Sequence, residues 1–158
     1  ALLEMEKFGV EYAKQTIKNA KALAENLYNY GFDVVCANKG FTESHQVLIN
    51  VSKFGGGKPV ANLLEKANII CNKNLLPGDK PKSAENPSGI RLGTPEITRL
   101  GMKEGEMEQI ATFIKQTIID REKPEVIAKK VKNFMRKFST LKYCFQKEKK
   151  AYEYFSLY

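Results

Sequence analysis

The first thirty residues constrain this chain most. Ala13, Ile17, Ala20, Ala24 and Leu27 step by four, three, four and three. That spacing lays one stripe of small and apolar side chains along a helix of period 3.6. It predicts a helix over 2–30, closed at Gly31, where a residue with positive φ commonly ends the last turn.

After Gly31 the period changes. Residues 32–37 are rich in β-branched and aromatic side chains, the composition of a short strand. Asn38, Lys39 and Gly40 supply turn chemistry. Residues 45–51 alternate, with His45, Val47, Ile49 and Val51 on one side and Gln46, Leu48 and Asn50 on the other. So short a connection favours a hairpin and hence antiparallel pairing. Gly55-Gly56-Gly57 reads as a flexible loop. Pro59 suits the first turn of a helix running to about 67 and burying Val60, Leu63, Leu64 and Ala67.

A short strand over 69–71 is expected next, then a polar loop over 72–87, long enough to suspect a function. Another strand follows over 88–92. Thr94-Pro95-Glu96 has the form of a helix N-cap with proline at the first helical position. Residues 104–120 carry Met107, Ile110, Ala111, Ile114 and Ile118 on one face. Residues 124–138 carry Ile127, Val131, Phe134, Met135 and Phe138. The order helix, strand, strand, helix, strand, strand, helix, helix predicts an α+β fold: a small, largely antiparallel sheet with helices on one face. We divide one domain, 1–158, into a leading helix (1–31), a sheet-and-helix core (32–120) and a basic helical tail (121–158).

Length and charge narrow the function. The 158 residues fit one domain. No apolar run approaches the roughly 18 residues of a membrane span. The first six residues lack the basic start and apolar stretch of a signal peptide, and there is no starting methionine. The chain therefore reads as beginning inside a longer protein. Cys36, Cys71 and Cys144 are odd in number and widely spaced, which argues against a disulfide framework or zinc ribbon and for a reducing, cytoplasmic setting. The formal net charge of +8 is concentrated in residues 121–158, which hold eleven Lys/Arg against four Asp/Glu. Such a tail suits a stand-alone basic module on nucleic acid or another acidic surface. A solvated amphipathic helix is favoured instead, because lysine supplies 22 of the 26 basic residues and no RNA-binding signature appears.

Two motif readings are discarded on chemistry. Gly55-Gly56-Gly57-Lys58 lacks the outer glycine of a phosphate loop and is followed by Pro59 rather than Ser or Thr. His45, the only histidine, adjoins Ser44, but neighbours on a strand point to opposite faces and cannot form a nucleophile–base pair. It reads as a structural hydrogen-bonding residue. The segment Ser88-Gly89-Ile90-Arg91-Leu92-Gly93-Thr94-Pro95 differs from both. It sets one arginine on a strand between glycines, where a ligand can approach and the planar guanidinium can grip a carboxylate in two hydrogen bonds. An arginine locked in a structural ion pair is the alternative.

That segment resembles the C-terminal domain of serine hydroxymethyltransferases, archaeal members in particular. So do Lys18-Asn19-Ala20-Lys21-Ala22-Leu23-Ala24, Gly31-Phe32-Asp33-Val34-Val35, Asn68-Ile69-Ile70-Cys71-Asn72-Lys73-Asn74 and Ile97-Thr98-Arg99. The resemblance covers about 8–120. Lys39-Gly40-Phe41-Thr42-Glu43-Ser44-His45-Gln46 and the lysine- and tyrosine-rich tail carry the archaeal likeness.

The resemblance implies the small domain of an aminotransferase-like (fold type I) pyridoxal-phosphate enzyme, a cytoplasmic homodimer that interconverts serine and glycine in amino-acid biosynthesis. The one-carbon unit would pass to a reduced pterin, tetrahydrofolate or tetrahydromethanopterin. Arg91 would bind the substrate carboxylate, orienting the Cα bond to be broken against the cofactor ring, which is the electron sink. Asn74 falls at the family's pterin contact, with Lys73 beside it. Thr94 and Pro95 would shape the turn after Arg91. The family's cofactor lysine lies N-terminal to all of these residues, so the chain alone is expected to be inactive. Another fold type I pyridoxal-phosphate enzyme, an aldolase or acyltransferase, is the rival within the class. The Asn72-Lys73-Asn74 segment argues against it. Leu100 stands where the family shows a second arginine or a glycine, and receives no role.

Overall fold

The computed structural model describes residues 2–146, 150 and 151. Nine regular elements follow in order: α1 (Leu2–Asn29), β1 (Asp33–Val34), β2 (Gln46–Asn50), α2 (Gly57–Lys66), β3 (Asn72–Asn74), β4 (Gly89–Gly93), α3 (Pro95–Arg99), α4 (Glu104–Ile118) and α5 (Pro124–Met135). The strands form one antiparallel sheet in the order β1-β2-β4-β3.

The register explains the packing. Val47 faces Leu92 and Ile49 faces Ile90 across β2 and β4. All four are buried, and they share a core with Leu23 and Leu27 of α1, Val60 and Leu64 of α2, and Met107 and Ile114 of α4. The helices therefore cover this face of the sheet. Gln46, Leu48, Asn50 and Arg91 alternate onto the other face, where none of them is buried. α5 packs behind α2 and α4, where Ile127 and Val131 meet Ala67 and Phe113. No helix is long and apolar enough to cross a membrane among the described residues.

The long helix α1 ends as expected, with Gly31 at φ +85°. Its buried stripe is Thr16, Asn19, Ala20, Leu23, Ala24 and Leu27. Ala13 is exposed and Ile17 half-buried, because the core begins one turn later than the apolar spacing suggested.

Four local expectations are corrected. The first strand is two residues rather than six, since Cys36 turns into the left-handed region (φ 61°) and a 3₁₀ turn follows over Ala37–Lys39. The expected strand at 69–71 lies three residues later, at Asn72–Asn74. There β3 can pair with β4, whereas Ile70 is 77% exposed. Gly55-Gly56-Gly57 is a built turn instead of a loose one. A Cβ on Gly56 would meet the Asn86 carboxamide at 2.6 Å, and one on Gly57 would meet the Gly89 carbonyl at 2.3 Å. Finally, Thr94 precedes α3 but makes no side-chain cap bond. Its hydroxyl donates instead to the Thr16 carbonyl of α1 (2.9 Å).

Beyond α5, residues 139–146 return along α1. Lys142 N–H donates to the Arg99 carbonyl (2.7 Å), Tyr143 packs on Tyr12 and Phe145 on Phe8. The parts of the expected tail at 147–149 and 152–158 lie outside the described residues.

Candidate functional site

The face of the sheet turned away from the helices gathers the predicted site. Arg91, at the middle of β4, is half-buried, with Leu48 opposite it on β2 and Asn72 opposite it on β3. Its Nη2 donates to the Asn72 Oδ1 at 3.2 Å. Among the described residues no carboxylate pairs with it, which separates it from an arginine locked in a structural ion pair. A half-buried guanidinium with most of its donors open can take an incoming carboxylate on two parallel hydrogen bonds.

Asn74 lies on the same face. It pairs with Gly89, two residues along β4 from Arg91, or roughly 7 Å at strand rise. Its side-chain amide donates to the Leu75 carbonyl (2.7 Å). Lys73 is not brought together with these two. It pairs with Ile90 and so points to the helix side. There its Nζ donates to the Glu85 carbonyl (2.9 Å) and lies 3.8 Å from the Glu85 carboxylate. Lys58 also holds that carboxylate, and the two lysines keep Glu85 below the usual carboxylate range, the Lys58 bond most of all. Lys73 anchors an edge strand from behind.

The loop between β3 and β4 is tied down on the Arg91 side. Gly89 has no side chain because Leu76 occupies that space; a Cβ there would lie 2.5 Å from the leucine. Asp79 holds the loop, its Oδ2 accepting from Leu76 N (3.0 Å), Ser88 N (3.0 Å) and Ser88 Oγ (2.8 Å). These bonds, the Leu76 amide first, pull the Asp79 carboxyl below its ordinary value. Asn86 stitches the same loop to the start of α2, donating to the Gly55 carbonyl and accepting from Lys58 N–H, both at 3.0 Å.

The far end of β4 is fixed by a buried polar network. Thr94 and Thr98 are buried with Thr16 and Asn19 of α1. Asn19 Nδ2 donates to Thr98 Oγ1 (2.8 Å) and to the Met102 carbonyl (2.9 Å), while Thr98 Oγ1 donates to the Thr94 carbonyl (2.7 Å). Tyr12 adds a bond to the Pro95 carbonyl (3.0 Å), and burial, then nearby Glu96, push its phenol up. Arg91 thus sits on a strand clamped at both ends, which fixes its backbone for a positional task.

Other reactive groups are placed elsewhere. The His45 ring lies 3.3 Å from the Gln46 amide, and the Ser44 hydroxyl engages Thr42 and Gln46 N–H. Burial pushes the Cys71 thiol up to about 11, so it stays protonated near neutrality.

Comparison with known proteins gives the family and the fold. The family profile described as serine hydroxymethyltransferase matches residues 4–114. The chain belongs to the serine hydroxymethyltransferase family. It is 53% identical over 163 residues to the serine hydroxymethyltransferase of Methanocaldococcus jannaschii, covering 100% of this chain and 38% of that protein. It is 54% identical over 144 residues to that of Staphylothermus marinus, covering 91% of this chain and 33% of the relative. Among solved structures, L-threonine transaldolase from Pseudomonas fluorescens is similar at TM-score 0.80 and 35% identity, over 90% of this chain and 32% of that one. The chain thus spans about a third of the length of these curated relatives and corresponds to the C-terminal portion of a serine hydroxymethyltransferase. Its fold is the α+β small domain of fold type I pyridoxal-phosphate enzymes.

Sequence reasoning singled out Arg91 and Asn74 but gave Asn72 no role. In the sequence Asn72 and Asn74 fall in an expected loop, so their shared side emerges only with the strand at Asn72–Asn74. That Asn72 faces Arg91 depends on the β3–β4 register, which no local pattern prints.

Proposed function

We propose that this domain supplies the substrate-carboxylate arginine and a pterin contact to a pyridoxal-phosphate-dependent glycine hydroxymethyltransferase. The enzyme would interconvert serine and glycine in the cytoplasm, as a homodimer, and pass the one-carbon unit to tetrahydrofolate or tetrahydromethanopterin. Arg91 carries the reading: a guanidinium on the uncovered sheet face, on a strand clamped at both ends, with no carboxylate partner among the described residues. Asn74, on the same face and two residue pairs along the ladder, is assigned to the pterin.

The domain does not fit the cofactor by itself. Pyridoxal phosphate is held through a lysine in an enclosed site, and no lysine is buried among the described side chains. Lys58, Lys73, Lys115 and Lys130 are engaged in ion pairs with Glu85, Asp120 or Glu122. We therefore assign the cofactor lysine to a part of the enzyme outside this chain, and derive for the domain only substrate binding and orientation.

The test is Arg91→Lys in the enzyme that carries this domain. Lysine keeps a charge but loses the two-pronged geometry. A fall in kcat/KM for serine of about 100-fold is expected, the scale of a misplaced substrate, with pyridoxal-phosphate binding retained. Serine kinetics within about twofold of the parent enzyme would remove Arg91 from the carboxylate role.

A further inference from the structure

We propose that Asn72 is a positioning residue for Arg91, a neutral acceptor that aims the guanidinium without cancelling its charge. This rests on the carboxylate reading of Arg91.

The argument starts from the register. β3 is only three residues long, and its first residue is paired directly with Arg91. Directly paired side chains on one face of an antiparallel ladder are close neighbours, with Cβ atoms about 5 Å apart. On the opposite flank, β2 presents Leu48 at the same level. Arg91 therefore stands between an apolar neighbour and a polar one, and its Nη2 turns to the polar one, 3.2 Å from the Asn72 Oδ1. Nη2 carries two hydrogens. With one directed at Asn72, the other and those of Nη1 and Nε remain for two carboxylate oxygens.

The residue type matters as much as the place. An aspartate has the size and shape of asparagine. At this distance it would form with Arg91 the charge-assisted pair that the substrate carboxylate is meant to form. An amide oxygen accepts the same hydrogen bond and leaves the positive charge uncompensated. The short strand β3 then has a clear purpose on each face. Lys73 fixes its backbone to Glu85 on the helix side, and that fixed backbone presents Asn72 to Arg91 on the other.

The test uses the full-length enzyme carrying Asn72→Asp, Asn72→Ala, Arg91→Lys or Arg91→Ala, and the double variant Asn72→Ala/Arg91→Ala. Asn72→Asp is expected to raise KM for serine about tenfold or more, with kcat within about threefold. Asn72→Ala is expected to lower kcat/KM several-fold, and to change it less than about twofold once Arg91 is alanine, since a residue acting through another is silent without it. The melting temperature should stay at the parent value in both single variants, because Asn72 is exposed. An unchanged KM in Asn72→Asp while Arg91→Lys is impaired overturns the role of Asn72 and leaves Arg91 standing. An equal effect of Asn72→Ala with and without Arg91 overturns it too, as does a loss confined to kcat. Normal serine kinetics in Arg91→Lys would instead sink the carboxylate reading, and this inference with it.

Discussion

Asp79 shows how one side chain can hold a site it does not touch. Three donors converge on its Oδ2, from Leu76 and Ser88, and so press Leu76 onto Gly89 beside the Arg91 strand. Those bonds are strongest to the ionised carboxylate, which is why its pKa is depressed. A group depressed in the folded state adds stability above its unfolded pKa and loses it as pH falls through the folded one. Asp79→Asn keeps the shape and removes the charge. The variant should melt a few degrees below the parent at about pH 7. That gap should narrow as pH drops through 3.8, the ordinary aspartate value, and below it. Thermal melts of both proteins across this range decide the matter, and a gap that stays constant with pH would show that the ionised form contributes nothing special. The buried set Asn19, Thr16, Thr94 and Thr98 teaches a related lesson. Asn19 sits on the apolar stripe of α1, where helical spacing alone would place a hydrophobe; its burial is made affordable by the Thr98 hydroxyl and the Met102 carbonyl, both more than seventy positions away.

At the scale of elements, the seam between α2 and β4 is the most demanding contact in the fold. Gly57 opens α2 and donates its N–H to the Pro87 carbonyl (2.7 Å). A methyl group there would lie 2.3 Å from the Gly89 carbonyl and 3.1 Å from that of Pro87, both backbone atoms. Gly57→Ala must therefore push the helix off the strand. We expect it to cost about 1–3 kcal/mol, the usual scale of overpacking. Gly105→Ala is the matched control. Nothing lies within 4 Å of its added carbon in α4, so it should stabilise by about 0.4–1 kcal/mol through the unfolded chain. Urea melts of the two variants should move in opposite directions; a stable Gly57→Ala would mean the seam is looser than these distances. The same seam marks the limit of what the sequence discloses. The helices α1, α4 and α5 follow from apolar periodicity, because α1 and α4 each bury one face in the main core and α5 buries one in the smaller cluster behind α2 and α4. Gly55-Gly56-Gly57 looks flexible in one dimension and is packed in three. Composition points to a strand at 69–71, but pairing with β4 rather than propensity selects Asn72–Asn74. Arg91 and Asn74 are candidates in the sequence because a motif carries them, whereas the partner of Arg91 is set by register between segments nineteen residues apart.

At the scale of the molecule, one surface is unlike the rest. Buried positions on α1 begin at Thr16, so the first half of the helix projects past the sheet. Residues 139–146 cover one side of it through Phe145 and Tyr143. Leu2, Leu3 and Val10 nevertheless stay 87%, 70% and 69% exposed. Leu3 and Val10 are seven positions apart, hence on one face, and Ile17 continues that line toward the core. Scattered exposed leucines need no explanation, but large exposed apolar side chains repeated along one helix face, even with Lys7 and Lys14 between them, favour association. The relatives are more than twice as long as this chain, so polypeptide is available in them to cover such a stripe. Prepared as these 158 residues, the protein should therefore self-associate reversibly. Sedimentation velocity across a concentration series should show weight-average mass rising with concentration. Replacing Leu3 and Val10 together by glutamate should return it to a monomer without lowering the melting temperature, because neither side chain contributes to the core. The charge of +8 opposes association, so raising salt should strengthen it in the parent chain by screening that repulsion. If the double variant associates as the parent does, the contact lies elsewhere, and the uncovered sheet face around Leu48 and Arg91 becomes the surface to substitute next.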